Sequence, residues 1–200
     1  ISIYMKYSIV FPGQGSQSIG MLSDLRSNFS VVNEIFQEAS DAINVDLWKI
    51  VNNDQELLSL TENTQPVMLA AGYATYKVLA SEVNLTPISI AGHSLGEYTA
   101  LVASESLSFF EAVKLVRKRA ELMQAAVPSG SGSMAAILGL DDTRVIEICL
   151  KASDKGVVEA VNFNSPGQVV IAGEKDAVAH ACELMKEAGA KRALVLPVSV

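Results

Sequence analysis

Cysteine, histidine and positive charge are all scarce in this chain. The two cysteines, Cys149 and Cys182, stand singly in helical patterns without C-x-x-C spacing, which points to buried or otherwise unreactive thiols in a reducing compartment. No constellation of His, Cys, Asp and Glu has metal-ligand spacing, so no metal is expected. Fifteen Lys and Arg against 22 Asp and Glu give a net charge of −7, with no Lys/Arg-rich block. That balance argues against a nucleic-acid partner. No apolar run approaches the length of a membrane span. Near the N-terminus, Lys6 is followed only by Ser8-Ile9-Val10-Phe11 before Pro12-Gly13, too short for a secretory signal. The expectation is a cytoplasmic protein with no membrane partner, whose natural start is Met5. Internal repeats and low-complexity segments are absent as well.

What is present is an apolar half, ample for a sizeable core in one domain or two small ones. The chain is organised around Ile88-Ser89-Ile90-Ala91-Gly92-His93-Ser94-Leu95-Gly96-Glu97. A β-branched run enters Gly-His-Ser-Leu-Gly, and Tyr98 to Ala103 then reads as a helix. This G-x-S-x-G pattern predicts a strained strand-to-helix turn with Ser94 Oγ exposed at its tip, glycines being needed where strand and helix approach closely. The Leu95 N–H, aided by the positive end of the helix, can hold a nascent oxyanion there. A plain Gly/Ser turn is the competing reading of the pentapeptide alone.

Tyr7 to Phe11 reads as a short buried parallel strand. The loop after it, Pro12-Gly13-Gln14-Gly15-Ser16-Gln17, invites a dinucleotide reading. Ser18 stands at the third glycine position of G-x-G-x-x-G, however, and no Lys-Ser/Thr pair follows to make a phosphate loop. Instead the loop offers backbone N–H groups and an amide side chain at the same sheet edge as Ser94. Helical periodicity covers Val31 to Ile43, a short helix is expected around Leu57 to Leu60, and Pro66 suits the first turn of an interior helix over Val67–Val83.

Ser108 and Glu111 have capping-box spacing and open a helix that runs to about Val127. Its core stripe is Phe109, Val113, Val116, Ala120, Met123 and Val127. Beside it runs a second apolar row, Ala112, Leu115, Leu122 and Ala126, in which Arg119 is the single charge; Lys114, Arg117, Lys118 and Glu121 fall on the polar side. A charge in an apolar row needs a partner if buried, or else snorkels to water. After the hinge-like Pro128 to Gly132, the order is strand (Ser133–Leu140), helix (to Ala152), strand (Val157–Asn164), strand (Gln168–Ala172), helix (Glu174–Ala188) and strand (Arg192–Val198). This β-α-β-β-α-β order is the split βαβ, ferredoxin-like arrangement.

Five pieces occur in register: Phe11-Pro12-Gly13-Gln14-Gly15-Ser16-Gln17, Thr64-Gln65-Pro66, Gly92-His93-Ser94-Leu95-Gly96-Glu97, Arg119, and Asn162-Phe163-Asn164-Ser165-Pro166-Gly167-Gln168. Together they make the chain resemble the malonyl-CoA:acyl carrier protein transacylase family of bacterial fatty acid synthesis, and more loosely the acyltransferase domains of polyketide synthases. The resemblance implies an α/β class: an α/β-hydrolase-like large subdomain over residues 5–128 and an inserted ferredoxin-like small one over 129–198. Residues 199–200 begin the return to the large subdomain, and the active site lies in the cleft between the two.

The resemblance further implies that Ser94 accepts malonyl from coenzyme A and releases it to the phosphopantetheine thiol of acyl carrier protein, in a ping-pong cycle. Gln14 and Leu95 would form the oxyanion hole with their backbone N–H groups, and Arg119 would hold the malonyl carboxylate. Asn162 and Asn164 would line the pantetheine entrance. Coenzyme A thioester is substrate here, no bound cofactor is implied, and the complete protein is expected to be a monomer. Candidate positive groups for an acidic carrier are Lys114, Arg117 and Lys118, or Lys191 and Arg192. A solvated face is the alternative for each.

The family's base histidine follows a Pro-Val-Ser-Val-type strand end, which here is Pro197-Val198-Ser199-Val200. His93 is expected to shape the turn or touch the acyl group, and His180 to be solvated beside Asp176, Glu183 and Glu187. The 200 residues are therefore expected to be part of a longer polypeptide and inactive or very slow alone. Two other functions stay open: a serine esterase or thioesterase, and a non-catalytic carrier-protein docking module.

Overall fold

The computed structural model describes residues 6–128 and 130–196. The readings placed on Met5 and on Pro197-Val198-Ser199-Val200 lie outside these residues. By its internal contacts the chain divides between Leu122 and Met123 into two compact units. That division falls inside a helix, earlier than the boundary expected at Pro128.

In the first unit the order is β1 (Ser8–Phe11), α1 (Ser23–Asn28), α2 (Ser30–Ile43), α3 (Leu47–Asn53), α4 (Gln55–Ser59), α5 (Thr61–Glu82), β2 (Ser89–Gly92), α6 (Gly96–Ala103) and α7 (Phe109–Ala126), whose residues from Met123 on belong to the second unit. Helix α2 buries Val32, Ile35, Phe36 and Ala39, the spacing that one face of a helix requires. It ends at Asn44, whose backbone is left-handed with φ 54°, a conformation asparagine tolerates better than most residues. Helices α3 and α4 are too short to show a period. Aspartate caps start both: Asp46 Oδ1 accepts from Lys49 N at 2.9 Å and Asp54 Oδ1 from Leu57 N at 2.8 Å.

Helix α5 begins at Thr61, a turn earlier than expected, so Pro66 sits inside it rather than in its first turn. The helix survives because the carbonyl that Pro66 cannot satisfy, that of Glu62, accepts instead from Arg117 Nη1 at 3.0 Å. Thr61 and the run Asn63 to Ala71 are buried, whereas Leu79 and Val83 are 45% and 49% exposed. Beyond Ala71 the helix is buried along one face only, through Ala74 and Val78, contrary to the reading of Val67–Val83 as apolar on nearly every side.

Strands β1 and β2 pair in parallel, Ser8 opposite Ser89 through Phe11 opposite Gly92. The expectation of a buried strand fails for β1. Phe11 is buried, but Val10, which points to the opposite face, is 74% exposed, and Ser8, Ser89 and Ala91 of the two strands are exposed as well. The sheet passes straight into α6 through two glycines. A Cβ on Gly92 would collide with the Gly96 carbonyl, and one on Gly96 with the carbonyl of Phe11.

The second unit contains β3 (Gly132–Leu138), α8 (Asp142–Ala152), β4 (Val158–Ser165), β5 (Gln168–Glu174), α9 (Lys175–Glu187) and β6 (Arg192–Val195). Its strands form one sheet in the order β4-β5-β3-β6, and every neighbouring pair is antiparallel. Alternate residues Ala135, Ile137, Val169 and Ile171 are fully buried in one core with Val145, Ile148 and Cys149 of α8 and Val178, Cys182 and Met185 of α9. Burial raises the Cys149 thiol to about 11 and pushes Cys182 in the same direction. Both thiols are buried and unpaired, as their sequence context suggested.

Two outcomes follow from this packing. Gly92→Ala is expected to lower unfolding free energy by about 3 kcal/mol in urea titration, and an unchanged midpoint would contradict the close approach. Native protein at pH 8 should resist alkylation at Cys149 and Cys182, since the reactive thiolate is suppressed below the raised pKa, and should react on unfolding. Rapid native labelling would show the thiols to be accessible.

Candidate active site

The two ends of the parallel pair build the site. His93 continues the register of β2, its N–H donating to the Phe11 carbonyl at 3.0 Å. The chain then turns sharply at Ser94, a non-glycine residue held at φ 52°, which costs on the order of 1–3 kcal/mol and persists only where surroundings enforce it. Gly96 N donates to the His93 carbonyl at 2.9 Å, Glu97 N to Ser94 at 3.1 Å and Tyr98 N to Leu95 at 3.0 Å. The Leu95 N–H precedes this ladder and takes no part in it. Leu95 itself is buried, while Ser94 is exposed at the tip.

The loop after β1 lies against this turn: a Cβ on Gly13 would come within 2.9 Å of the His93 carbonyl and 3.7 Å of Ser94 Cβ. Next in the loop, Gln14 donates from Nε2 to Thr61 Oγ1 at 3.2 Å, which ties it to the first residue of α5. Gly15 has φ 105°, and its N–H donates to Gln17 Oε1 at 2.8 Å. The loop is therefore braced from both sides.

Arg119 reaches the same place from α7. Its Nη1 donates to Gln65 Oε1 at 2.8 Å and its Nη2 to Ser94 Oγ at 3.0 Å. Its Cζ lies 5.7 Å from the centre of the Tyr98 ring. The apolar-row argument for Arg119 needs correction, since Leu115 and Leu122 on either side are 46% and 58% exposed. The arginine is half-buried, and it is the buried Gln65 that directs it.

Gln65 belongs to the Thr64-Gln65-Pro66 piece of the resemblance, but sequence reasoning gives it no role. It is completely buried, and an amide in that position must be hydrogen-bonded to be tolerated. The available signal was the polar run Asn63-Thr64-Gln65 placed before Pro66 in an otherwise apolar helix. Arg117 also departs from expectation: rather than a solvated cation it is 23% exposed, and it donates to the Glu62 carbonyl and to Asn63 Oδ1 at 2.9 Å. Lys114 pairs with Glu111 at 3.1 Å.

Asn162 and Asn164 lie on β4 of the second unit, where the strand register shifts between Ala160 and Asn162 and again between Phe163 and Ser165. His180 is on α9, with Nδ1 3.9 Å from Glu183 Oε2. No group of three or more His, Cys, Asp and Glu able to hold a metal occurs among the described residues. No described helix is long and apolar enough to cross a membrane.

In chemical terms, the arrangement offers an exposed hydroxyl at the mouth of a helix N-terminus. A fixed guanidinium stands in hydrogen-bond contact with it, and a braced backbone loop lies alongside.

Known proteins resemble this chain over nearly its whole length. The family described as acyl transferase domain matches residues 8–200. The malonyl CoA-acyl carrier protein transacylase of Haemophilus influenzae is 55% identical over 197 residues, covering 98% of this chain and 63% of the relative. That of Escherichia coli K12 is 51% identical over 196 residues, with the same two coverages. Among solved structures, an acyl-carrier-protein S-malonyltransferase from Burkholderia pseudomallei superposes with a TM-score of 0.92 at 56% identity, over 98% of this chain and 64% of that one. A malonyl-transacylase in complex with a type II polyketide synthase acyl-carrier protein gives 0.94 at 50% identity, with the same two coverages. The chain spans about 63% of the length of the curated relatives it matches.

Gln65→Ala is expected to destabilise the protein by ~2 kcal/mol, because it opens a cavity and strips the guanidinium of its buried acceptor. Ser94→Ala, at an exposed position, should stay within about 0.5 kcal/mol of the unsubstituted protein. Equal losses in urea titration would show that Gln65 does not bear the contact assigned to it.

Proposed function

The chain belongs to the acyl transferase domain family, and from that premise we propose that it moves a malonyl group from coenzyme A to the phosphopantetheine thiol of acyl carrier protein through an ester on Ser94. The observation that carries this reading is the 3.0 Å contact between Arg119 Nη2 and Ser94 Oγ. It puts a cation beside the nucleophile, where a substrate with a second, negatively charged end would need one.

In the first half-reaction Ser94 Oγ attacks the thioester carbonyl, the C–S bond breaks and coenzyme A leaves as its thiol with the serine proton. In the second, the carrier's thiol attacks the ester, the C–O bond breaks and Oγ recovers a proton. The carbonyl oxygen gathers negative charge in both steps. The backbone N–H of Leu95 at the start of α6 and that of Gln14 in the braced loop are assigned to receive it. The proton needs a base, which the family resemblance puts past Pro197-Val198-Ser199-Val200. His93 is assigned to the turn and the acyl group instead. Asn162 and Asn164 are assigned to the pantetheine entrance on the resemblance alone. The two units would then be the hydrolase-like and ferredoxin-like subdomains of one transferase acting in the cytoplasm as a monomer.

Arg119 accounts for substrate choice. A malonyl ester on Ser94 carries its carboxylate only three bonds from Oγ, so the guanidinium that touches the free hydroxyl can exchange that contact for two parallel N–H bonds to the carboxylate. Acetyl offers no such exchange. The loss of a charge-assisted pair at a half-buried site is about 1.5–3 kcal/mol, or roughly ten- to hundredfold in rate. An esterase for neutral acyl groups has no use for the cation.

Incubating the full-length protein with labelled malonyl-CoA tests the reading. Label should attach to Ser94, be absent in Ser94→Ala, persist in buffer and transfer when carrier thiol is added. Rapid loss to water without carrier would indicate an esterase, and no covalent label would indicate a docking module.

A further inference from the structure

Arg117 lies two residues before Arg119 on α7, and its side chain joins partly exposed carboxylates, with Nη2 3.6 Å from Glu62 Oε1, to buried acceptors on α5. Its Nη1 donates to the Glu62 carbonyl at 3.0 Å and to Asn63 Oδ1 at 2.9 Å, while Nε pairs with Glu121 at 3.2 Å. The Glu62 carbonyl is available for a definite reason: it is four residues before Pro66, which has no N–H to give it. Asn63 is 5% exposed, and its Nδ2 donates to the Leu57 carbonyl at 3.0 Å. Arg117 therefore grips α5 at two adjacent residues in its opening turn. The next buried polar residues along α5 are Thr64, bonded to the Leu58 carbonyl at 2.6 Å, and Gln65, the acceptor for Arg119.

We infer that Arg117 is a positioning residue for substrate choice: by occupying the carbonyl that Pro66 leaves open, it sets α5 in register with α7 and so fixes Gln65 where it directs the Arg119 guanidinium at Ser94. The inference rests on the function proposed above for Arg119. Two arginines on one helix then divide the labour. Arg117 holds α5 in place, and Gln65 on α5 holds the second arginine. The planar guanidinium suits this because Nη1 bonds α5 while Nε keeps its pair with Glu121 in the same rigid plane, whereas a lysine has one freely turning nitrogen for all of these partners.

The test measures kcat/KM for malonyl-CoA and for acetyl-CoA in the full-length protein, with unfolding midpoints recorded in parallel. Arg117→Met is expected to lower the malonyl value about tenfold while leaving the acetyl value within about twofold, since only the carboxylate-bearing substrate uses the directed guanidinium. Arg117→Lys should fall between the two, and it replaces Arg117→Met in the comparison if the latter unfolds. Pro66→Ala restores an N–H that can donate to the Glu62 carbonyl within α5 but makes no bond to α7, so Pro66→Ala/Arg117→Met should keep the malonyl loss of Arg117→Met. Equal losses on both substrates, or recovery of the malonyl value in the double variant, would overturn the positioning role, the latter by showing that only the unsatisfied carbonyl mattered. If the unsubstituted protein showed no preference for malonyl over acetyl, the reading of Arg119 would fail instead, which keeps the two failures apart.

Discussion

A guanidinium can point at a hydroxyl reliably only if something else holds it, and here that something is a buried amide. Gln65 Oε1 accepts from Arg119 Nη1, which leaves Nη2 directed at Ser94 Oγ. An arginine side chain has enough rotatable bonds that an unheld one would spend most of its time in water. The burial of Gln65 turns a flexible cation into a fixed one. The polar opening of α5, unusual inside a core, is the structural cost of doing so: Thr61, Asn63, Thr64 and Gln65 are all buried. Those whose partners are given above are hydrogen-bonded, as buried polar groups must be.

The hydroxyl at the other end of the contact is held by a different constraint, the absence of side chains. Gly92 and Gly96 let β2, α6 and the end of β1 approach so closely that no Cβ fits at either position. Ser94 is forced into the left-handed region between them and presented to solvent. Since β1 and β2 are parallel and in register, the loop carrying Gln14 emerges beside the turn carrying Ser94. One sheet edge thereby gathers the hydroxyl, the Leu95 N–H and the braced loop, and α7 brings the charge.

Much of this was legible in the residues, for identifiable reasons. Glycine spacing around Ser94 is a steric requirement, so it shows in sequence as plainly as in coordinates. The periods of α2, α8 and α9 likewise reflect one-sided burial. Short helices such as α1 and α3 escaped because one or two turns cannot display a period, and only the cap at Asp46 gave α3 a local mark. The start of α5 is hidden in the sequence because Pro66 usually marks a first turn, whereas here a distant arginine compensates for its missing N–H. The leucines beside Arg119 in its row are exposed, so the direction of its side chain follows from Gln65 and not from apolar neighbours. Such long-range pairings have no spacing rule and so cannot be read from the chain alone.

The most direct test of this account is the crystal structure of the full-length protein trapped with malonyl on Ser94. The account predicts that Arg119 keeps its bond to Gln65 Oε1 while its remaining N–H groups turn from the serine oxygen to both oxygens of the malonyl carboxylate. A carboxylate left in solvent, or held by another cation with Arg119 turned away, would contradict it.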